Sequence, residues 1–383
     1  MKFPSIPLLQ RRVPYHQGRG KIVIAAGGTG GHLFPALSLA LEFRSHRVEP
    51  LVIGRTNSEL KNEFYKAGIP FQEVPVVRLP SRKRDLISFP FRALWAFLFA
   101  FGYLLRHRPI AVIGMGGYAS AAPALSAIIL RIPLYFCEQN LLPGKSTRIF
   151  SAGCRAVFTS FPESRNYLRA KNVLETGNPL RPFRMVREKG ELRMNMGLAK
   201  EKFTVLVLGG SQGAHQINLK VLASLYYLSP NEVQFIHLTG PNDYQLVSET
   251  CRKKNFQNYS QSFFSEMELL YTAADLAICR SGATTIAELT AFGLPSILVP
   301  YPFAAEDHQT LNANYLVKNG AGILKKESGL SGEILAEEIK NLAGNPQKIS
   351  TLSEAARKLA HPEPARRIVS FILSRHCERP AGV

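Results

Sequence analysis

The sequence predicts an α/β protein with two doubly wound, Rossmann-like parallel sheets that face each other across a cleft. Two observations predict this fold class. Short, continuous apolar runs alternate with helical segments, which is typical of parallel sheets covered by helices on both faces. A strand, a glycine-rich turn and a helix follow one another once in each half of the chain, and 383 residues suffice for two domains.

The first of these units starts at the apolar run Lys21–Ala26, which ends in Gly27-Gly28-Thr29-Gly30-Gly31-His32 and leads into a helix over Leu33–Phe43. The second starts at Thr204–Leu208, which ends in Gly209-Gly210-Ser211-Gln212-Gly213 and leads into a helix over about 214–227. Further runs of strand length are Pro50–Ile53, Phe71–Val74, Ile110–Ile113, Leu134–Phe136, Ala156–Phe158, Val233–Leu238, Leu276–Cys279 and Ser296–Val299.

The domain limits follow from where regular patterns stop. Residues 1–20 contain no continuous apolar stretch of the kind a signal peptide needs, so they are expected to form a flexible leader. The first domain then spans 21–178, and the proline- and glycine-containing stretch 177–182 separates it from a second domain over 183–360. A last helix, over about 363–376, is assigned to the first domain.

The positive charge is concentrated in the first half of the chain. Lys and Arg number 47 against 28 Asp and Glu, a net charge of +19, and residues 1–180 hold 24 of the basic but only 9 of the acidic residues. Such a field attracts nucleic acid, anionic lipid or a phosphorylated substrate. Nucleic acid is disfavoured, because the basic residues cluster with aromatic ones and form no reader motif.

The five cysteines are odd in number and lack C-x-x-C spacing, which argues against a disulfide framework and against a structural zinc site. A reducing cytoplasm fits this usage. No D-x-D pair lies near a strand end, so the sequence does not demand a tightly bound metal. No cofactor is expected.

The segment 79–109 is rich in aromatic residues and carries a basic cluster at each end, at 82–84 and 106–108. Its uninterrupted apolar core, Ala93–Leu105, is shorter than the roughly 20 residues needed to span a bilayer, so a spanning helix is not expected. Two interpretations remain: a helix buried against the sheet, or one at a membrane interface. We favour a helix that packs on one side and contacts lipid on the other.

Two common nucleotide-binding motifs are matched only in part, because the spacing of their glycines is wrong in this sequence. A dinucleotide fingerprint that starts at Gly28 and Gly30 would need a third glycine where Leu33 stands, which disfavours an NAD-dependent oxidoreductase. The triplet Gly144-Lys145-Ser146 resembles the end of a P-loop, but the required upstream glycine is Gln139. The glycine turns still let backbone N–H groups approach an anion at a helix N-terminus.

The second half holds a dense polar cluster after two predicted strands. Arg280-Ser281-Gly282-Ala283-Thr284-Thr285 leads into a helix that carries Glu288, and the run 306–312 follows the next strand. A carboxylate one turn into such a helix can accept hydrogen bonds from ribose hydroxyls. Gln309 and Asn312, three residues apart, share a helix face and can bind sugar hydroxyls or an acetamido group.

The motifs GGTGGHLFPAL, GMGGY, EQN, GNPLR, LGGSQGA, CRSGATTIAEL and EDHQTLNA, in this order, resemble those of the MurG family from about Lys21 to about Gly322. The resemblance implies a GT-B fold and an inverting glycosyltransferase that moves GlcNAc from UDP-GlcNAc to the C4 hydroxyl of MurNAc in lipid I. The sequence departs from the family pattern at Cys137, where the family often has a histidine before Glu-Gln-Asn. In the helix after Asp307, the family position that matches Gln309 shifts by one residue between family variants.

The resemblance also implies residue roles. Phe263 and Phe264 would lie by the uracil, Glu288 would hold the ribose, and Ser211, Gln212 and Arg181 would contact the diphosphate. The remaining donor-side positions are Thr29, Gly30, Asn140, Ala283, Thr284, Thr285, Gln309 and Asn312, the last two on the GlcNAc. Acceptor-side positions are Thr29, His32, Tyr118 and Asn140. His32 is the preferred base, with binding of the acceptor diphosphate as its alternative role, and Glu138 is a weaker candidate.

The expected partners are UDP-GlcNAc, lipid I, an anionic membrane surface and a cell-wall or division complex. The expected location is the cytoplasmic face of the bacterial inner membrane, with peripheral attachment. Two alternatives stay open: a UDP-sugar-dependent glycolipid synthase with another lipid acceptor, and a nucleotide-sugar-binding protein that has lost catalysis.

Overall fold

The computed structural model describes residues 20–28, 30–77, 85–181, 188–210 and 213–377. Within them the chain forms two α/β domains, each built around one parallel sheet. The predicted leader, apart from Gly20, lies outside the described residues, and so do Thr29, Ser211, Gln212 and the basic cluster at 82–84.

The first sheet has seven strands in the order β3-β2-β1-β4-β5-β6-β7, and all its pairings are parallel. These strands are β1 Lys21–Ala25, β2 Glu49–Gly54, β3 Phe71–Glu73, β4 Ala111–Gly114, β5 Leu134–Glu138, β6 Ala156–Thr159 and β7 Val173–Glu175. The chain reverses its direction of travel across the sheet between β1 and β4, and such a switch point opens a crevice at the carboxyl ends of the strands.

The second sheet repeats this plan with six parallel strands in the order β10-β9-β8-β11-β12-β13, and its switch point lies between β8 and β11. These strands are β8 Phe203–Leu208, β9 Val233–Leu238, β10 Asn258–Gln261, β11 Leu276–Cys279, β12 Ser296–Leu298 and β13 Ile323–Leu324. All ten strands that the sequence predicted are present. The sequence did not predict β7, β10 and β13, each of which lies at a sheet edge.

Helices cover both faces of each sheet. Those of the first half are α1 Gly30–Ser45, α2 Ser58–Lys66, α3 Asp85–His107, α4 Ala121–Ile129 and α5 Lys145–Phe150. Those of the second half are α6 Lys189–Asn195, α7 His215–Ser224, α8 Tyr244–Lys253, α9 Met267–Ala273, α10 Ala283–Phe292, α11 His308–Lys318, α12 Gly332–Ala343, α13 Pro346–Lys358 and α14 Pro364–Cys377.

The last helix, α14, returns to the first domain. It packs against α1, and its Ile368 and Ile372 are fully buried in the core that also contains Ile22 and Ile24 of β1. Side chains alternate along a strand, so Val23 of the same strand faces a separate core on the other side of the sheet. Both faces are therefore covered, which explains the continuous apolar runs of the central strands.

Helix α3 has one buried face and one face exposed to solvent. Ala96, Ala100 and Leu104 are buried, at the spacing of one helix face. The opposite face leaves these large apolar side chains at least half exposed: Ile87, Phe91, Leu94, Trp95, Leu98 and Leu105. Among the described helices, this one alone is long and apolar enough to cross a membrane by length and composition. Contact with lipid stays a prediction.

The buried His237 of β9 gives a prediction about acid stability. Burial lowers the pKa of its imidazole from 6.5 to about 3, although Asp243 acts in the opposite direction. Between those two values the unfolded chain binds the proton and the folded chain does not, so the free energy of unfolding should fall as the pH drops below 6.5. The slope approaches about 1.4 kcal/mol per pH unit and levels off near pH 3.

The measurement is urea unfolding of wild type and His237→Gln from pH 7 to pH 4. Glutamine can still donate to the Asn218 Oδ1 that faces His237 Nε2 at 2.9 Å, but it does not titrate. The variant should therefore lose less stability on acidification. Parallel curves for the two proteins would contradict this origin of acid sensitivity.

Candidate active site

The first glycine turn joins β1 to α1 at the switch point of the first sheet. Gly28 has a φ of +92°, which a residue with a side chain rarely adopts. A Cβ on Gly27 would lie 2.8 Å from the Ala119 Cβ and 3.0 Å from the Arg55 carbonyl oxygen. The turn therefore needs glycine at both positions, and it leaves the N-terminus of α1 pointing toward the second domain.

His32 lies in the first turn of α1, beside the turn at Gly116 and Gly117. Both glycines have positive φ, and a Cβ on either would approach the imidazole to 3.6 Å. Nδ1 is buried and has no hydrogen-bond partner among the described residues. Burial, together with the nearby His308, lowers the pKa of His32 from 6.5 to about 4, although the Gly27 backbone acts in the opposite direction. The imidazole is therefore neutral near pH 7.

Glu138, the weaker catalytic candidate, is buried at the end of β5. Its carboxylate accepts the backbone N–H of Asn140 at 3.1 Å and that of Gly144 at 3.0 Å. Burial raises the pKa of this carboxyl group, while the nearby Thr147 side chain and those two N–H groups lower it. These contacts hold the loop 138–144 in shape.

The second glycine turn joins β8 to α7 at the switch point of the second sheet. Gly210 and Gly213 have positive φ, and a Cβ on Gly213 would lie 2.4 Å from the Thr239 carbonyl oxygen. The described part of this turn thus lies close against the neighbouring backbone and exposes main chain rather than side chains. Such a surface suits a bound anion.

Helix α10 begins at Ala283, directly after Ser281 and Gly282, and presents Glu288 one turn later. The Tyr271 hydroxyl donates to Glu288 Oε2 at 2.7 Å. Burial raises the pKa of Glu288 above its ordinary value, and Tyr271 and Arg181 partly offset this effect. The carboxylate is held on one side and keeps Oε1 for a further partner.

Arg181 lies where the chain passes from the first domain to the second. Its guanidinium carbon lies 3.9 Å from the centre of the Phe34 ring of α1, and its Nη1 donates to the Ser265 carbonyl at 3.2 Å. Thr284 also links the two domains, because its hydroxyl donates to the Gly31 carbonyl at 3.1 Å and accepts from Asn178 Nδ2 at 3.1 Å.

Gln309 and Asn312 of α11 have different surroundings. Gln309 Oε1 accepts the Tyr301 N–H at 2.9 Å. Asn312 is fully buried: Oδ1 accepts the Leu141 N–H at 3.0 Å, and Nδ2 donates to Asn140 Oδ1 at 3.1 Å and to the Ser281 carbonyl at 3.2 Å. In this structure the Asn312 and Asn140 amides thus bond to each other across the domains, and their contact with a sugar stays a prediction.

One cleft of about 560 Å³ lies between the two glycine turns. The sequence-predicted residues that line it are Gly30, Arg181, Phe263, Phe264, Ala283, Thr284, Thr285, Glu288 and Gln309. His32, Glu138, Asn140, Tyr118 and Asn312 are not among the lining residues; Tyr118, at 47% exposure, lies on the surface beside Gly117. In the described chain no group of three or more His, Cys, Asp or Glu side chains could hold a metal ion.

Several side chains that line the same cleft were not predicted as site residues, among them Phe34, His215, Tyr271 and Tyr301. Phe34 could have been found, because it lies one helical turn beyond Gly30 and so faces the same way. His215 directly follows the second glycine turn, which was also a usable signal. Tyr271 stands in an apolar run and reads as an ordinary core residue.

Comparison with known proteins agrees with this geometry. Residues 22–159 match the glycosyltransferase family 28 N-terminal domain, and residues 204–368 match the family 28 C-terminal domain. A Myxococcus xanthus protein named UDP-N-acetylglucosamine–N-acetylmuramyl-(pentapeptide) pyrophosphoryl-undecaprenol N-acetylglucosamine transferase is 38% identical over 353 residues, 91% of each chain. A Geobacter sulfurreducens protein of the same name is 38% identical over 364 residues, 92% of this chain and 98% of its own.

Two solved structures are similar in shape. The crystal structure of Acinetobacter baumannii MurG matches with a TM-score of 0.74 and 27% identity, covering 93% of this chain and 99% of that one. A UDP-GlcNAc 2-epimerase from Neisseria meningitidis, bound to UDP-GlcNAc, matches with a TM-score of 0.65 and 14% identity, covering 93% and 100%. The second likeness shows the fold alone.

Proposed function

We propose roles for the cleft residues from the premise that this chain belongs to glycosyltransferase family 28 and, within it, to the MurG family. It has the GT-B fold, with two Rossmann-like domains. It is an N-acetylglucosaminyltransferase of peptidoglycan synthesis: it moves GlcNAc from UDP-GlcNAc to MurNAc in lipid I, giving lipid II and UDP. The observation that carries this function is one cleft lined by both glycine turns, Arg181 and Glu288.

Two alternatives were left open by the sequence: a glycolipid synthase with another lipid acceptor, and a nucleotide-sugar-binding protein that has lost catalysis. The relatives' names give an undecaprenyl-diphosphate-linked MurNAc peptide as acceptor, which favours lipid I over another glycolipid. The glycine turns and Glu288 would also serve a protein that only binds the donor, so it is the candidate base His32 that favours an active enzyme. Release of UDP from UDP-GlcNAc should therefore require lipid I, and release that does not depend on an acceptor would point to a hydrolase.

The nucleoside half of the donor is proposed to lie between α9 and α10. Phe263, which is 51% exposed, and Phe264 would cover the uracil ring. Glu288 Oε1 would accept from the ribose, since Oε2 is already bound by Tyr271. Aromatic surface and an ionised acceptor suit a base and a diol respectively.

The diphosphate is proposed to lie between the N-terminus of α10 and the glycine turn after β8. Free N–H groups and the helix dipole stabilise negative charge there, and Arg181 adds a full positive charge. As the bond from C1 of GlcNAc to the β-phosphate oxygen breaks, its electron pair moves onto UDP. Donors that are already in place stabilise that charge without reorganising. Gln309 of α11 would bind the GlcNAc, with the interdomain amide pair Asn140–Asn312 behind it.

The acceptor is proposed to bind on the side of the first glycine turn, near Tyr118. The MurNAc C4 oxygen attacks C1 from the face opposite UDP, so the configuration at C1 inverts. The proton of that hydroxyl needs an acceptor, and the neutral imidazole of His32 can take it. Its low pKa, about 4, weakens the base, whereas the negative diphosphate of lipid I would raise the pKa. The alternative role of His32 is to bind the diphosphate of lipid I.

A membrane-facing surface is proposed on the first domain, which we call the apolar face: the exposed residues of α3, with Leu125, Ile128 and Ile129 of α4 and Ile149 of α5. Exposed Arg92, Arg106, Arg108, Arg131 and Lys145 lie on the same segments. A large bare apolar surface next to basic residues suits insertion into an anionic interface. The protein would attach peripherally to the cytoplasmic face of the inner membrane, where a cell-wall or division complex could meet it.

Replacing Phe91 and Trp95 together by serine should remove most vesicle binding. Both are more than half exposed, 74% and 62%, so the fold should tolerate the change. Flotation with anionic vesicles should fall, and so should activity on lipid I embedded in vesicles, while activity on a short-chain soluble acceptor is preserved. Tyr226→Ser, a 70% exposed aromatic of the other domain, is the matched control. Unchanged flotation of the double variant would rule out the apolar face as the docking surface.

A further inference from the structure

His215 lies at the end of the glycine turn that the donor diphosphate is proposed to occupy. It is the first residue of α7, two positions after Gly213, and it lines the cleft together with Gly210 and Gly213. Its side chain is 58% exposed, so the ring is open to a ligand. No role for this residue followed from the sequence.

A buried polar chain fixes the orientation of the His215 ring. Nδ1 faces the Asp243 carboxylate, at 2.9 Å from one oxygen and 3.1 Å from the other. Asp243 in turn accepts from Asn218 Nδ2 at 2.7 Å, and Asn218 Oδ1 accepts from His237 at 2.9 Å. Because Nδ1 is engaged by Asp243, Nε2 on the other side of the ring is the nitrogen left to meet a ligand.

The cleft offers few other cationic side chains to a diphosphate, which is why a hydrogen-bond donor at His215 matters. Among the described lining residues, Arg181, Arg280 and His215 can carry positive charge. Arg280 is already occupied, since it donates to the Val299 and Pro300 carbonyls and pairs with Glu327. A diphosphate at the second glycine turn would therefore have few free cationic side chains to meet.

An imidazolium at the position of His215 would also need an anion nearby. A positive charge at the first residue of a helix is unfavourable, because the N-terminus of the helix dipole is itself positive. The Asp243 carboxylate supplies one compensating charge at Nδ1. An anionic ligand in the cleft would supply a second one, on the side of Nε2.

We propose that His215, held by Asp243 as its positioning residue, binds the diphosphate of UDP-GlcNAc as an imidazolium: Nδ1–H is donated to Asp243 and Nε2–H to the diphosphate, where it stabilises the charge that UDP gains as it leaves. This inference rests on the proposed function, which places the diphosphate at the second glycine turn. No atom is transferred to His215: it is a donor-binding group whose contact strengthens as the leaving group becomes more negative.

Calorimetry with UDP and with uridine tests the proposal without lipid acceptor. His215→Ala should weaken UDP binding about tenfold to one-hundredfold, the range for a hydrogen bond to a charged group, and leave uridine binding within about twofold. Asp243→Asn should weaken UDP binding less, and the double variant should be no weaker than His215→Ala, because Asp243 acts only through the ring. Gln245→Ala, an exposed change on the neighbouring α8, is the control.

If Asp243→Asn fails to fold, His215→Gln serves in its place. Glutamine keeps a polar group but lacks the charge and the fixed orientation of the ring. This variant should lose UDP affinity about as much as His215→Ala does. Unchanged UDP affinity in both His215 variants would overturn the proposal. An equal loss of UDP and uridine affinity would overturn it as well, because the ring would then act on the nucleoside or the fold. Failure of the wild type to bind UDP would instead overturn the proposed function.

Discussion

Replacing His32 by alanine is expected to lower turnover by roughly 10²–10⁴-fold while the affinity for UDP-GlcNAc stays nearly unchanged. The reason is the separation of His32 from the donor cleft. His32 lies in the first domain, beside Gly116 and Gly117, and is not among the residues that line that cleft. Losing a proton acceptor there should affect the attack of the acceptor hydroxyl and leave donor binding intact.

The measurement is steady-state kinetics with lipid I, together with calorimetry for UDP. His32→Gln preserves most of the buried volume and separates loss of the base from loss of packing. His46→Ala, just beyond the end of the same helix, is the control and should behave as wild type. If turnover stays near normal and only the KM for lipid I rises, His32 binds the acceptor diphosphate and the base lies elsewhere.

Replacing Glu288 by glutamine is expected to weaken UDP binding by about 1.5–3 kcal/mol, or roughly 10- to 150-fold. A neutral amide accepts more weakly than a carboxylate, and its NH₂ group would face the Tyr271 hydroxyl or the ribose. The fold should tolerate this nearly isosteric change. Glu333→Gln, an exposed change in the first turn of α12, is the control.

The pH dependence of UDP binding offers an independent check of the same assignment. Burial raises the pKa of Glu288, so this carboxylate takes up its proton at a higher pH than an ordinary glutamate does. Wild-type affinity should therefore decline as the medium is acidified, and the glutamine variant should lack that decline. Identical pH profiles, or unchanged affinity at neutral pH, would refute the ribose role of Glu288.

The central strands and the glycine turns were predictable because their signals are local. A strand buried on both faces must be apolar throughout, and a turn with positive φ and close backbone neighbours must use glycine. Three of the four edge strands, β7, β10 and β13, gave no such signal: β10, with the sequence NYSQ, is polar and only half-buried, and β13 has two residues. Edge strands need fewer apolar residues, so periodicity did not reveal them.

The sequence could predict which residues belong to the site, but it could not predict which partners they contact. Glu288 followed from a carboxylate one turn after a glycine-rich loop, and the structure places it in the cleft. The interdomain bonds of Asn312 could not be predicted, because its partners Asn140 and Leu141 lie more than 170 positions away in the chain. The same holds for Tyr271 and Asp243, whose roles depend on which side chain the fold brings next to them.

The most direct test of the account is the linkage of the product formed by the purified protein from lipid I and UDP-GlcNAc labelled with ¹³C at C1. One equivalent of UDP is expected for each lipid-linked disaccharide, with the labelled carbon in a β1→4 bond to MurNAc in the NMR spectrum. An α-linked disaccharide, or free labelled GlcNAc released in place of the disaccharide, would contradict a single inverting displacement in the cleft between the two domains.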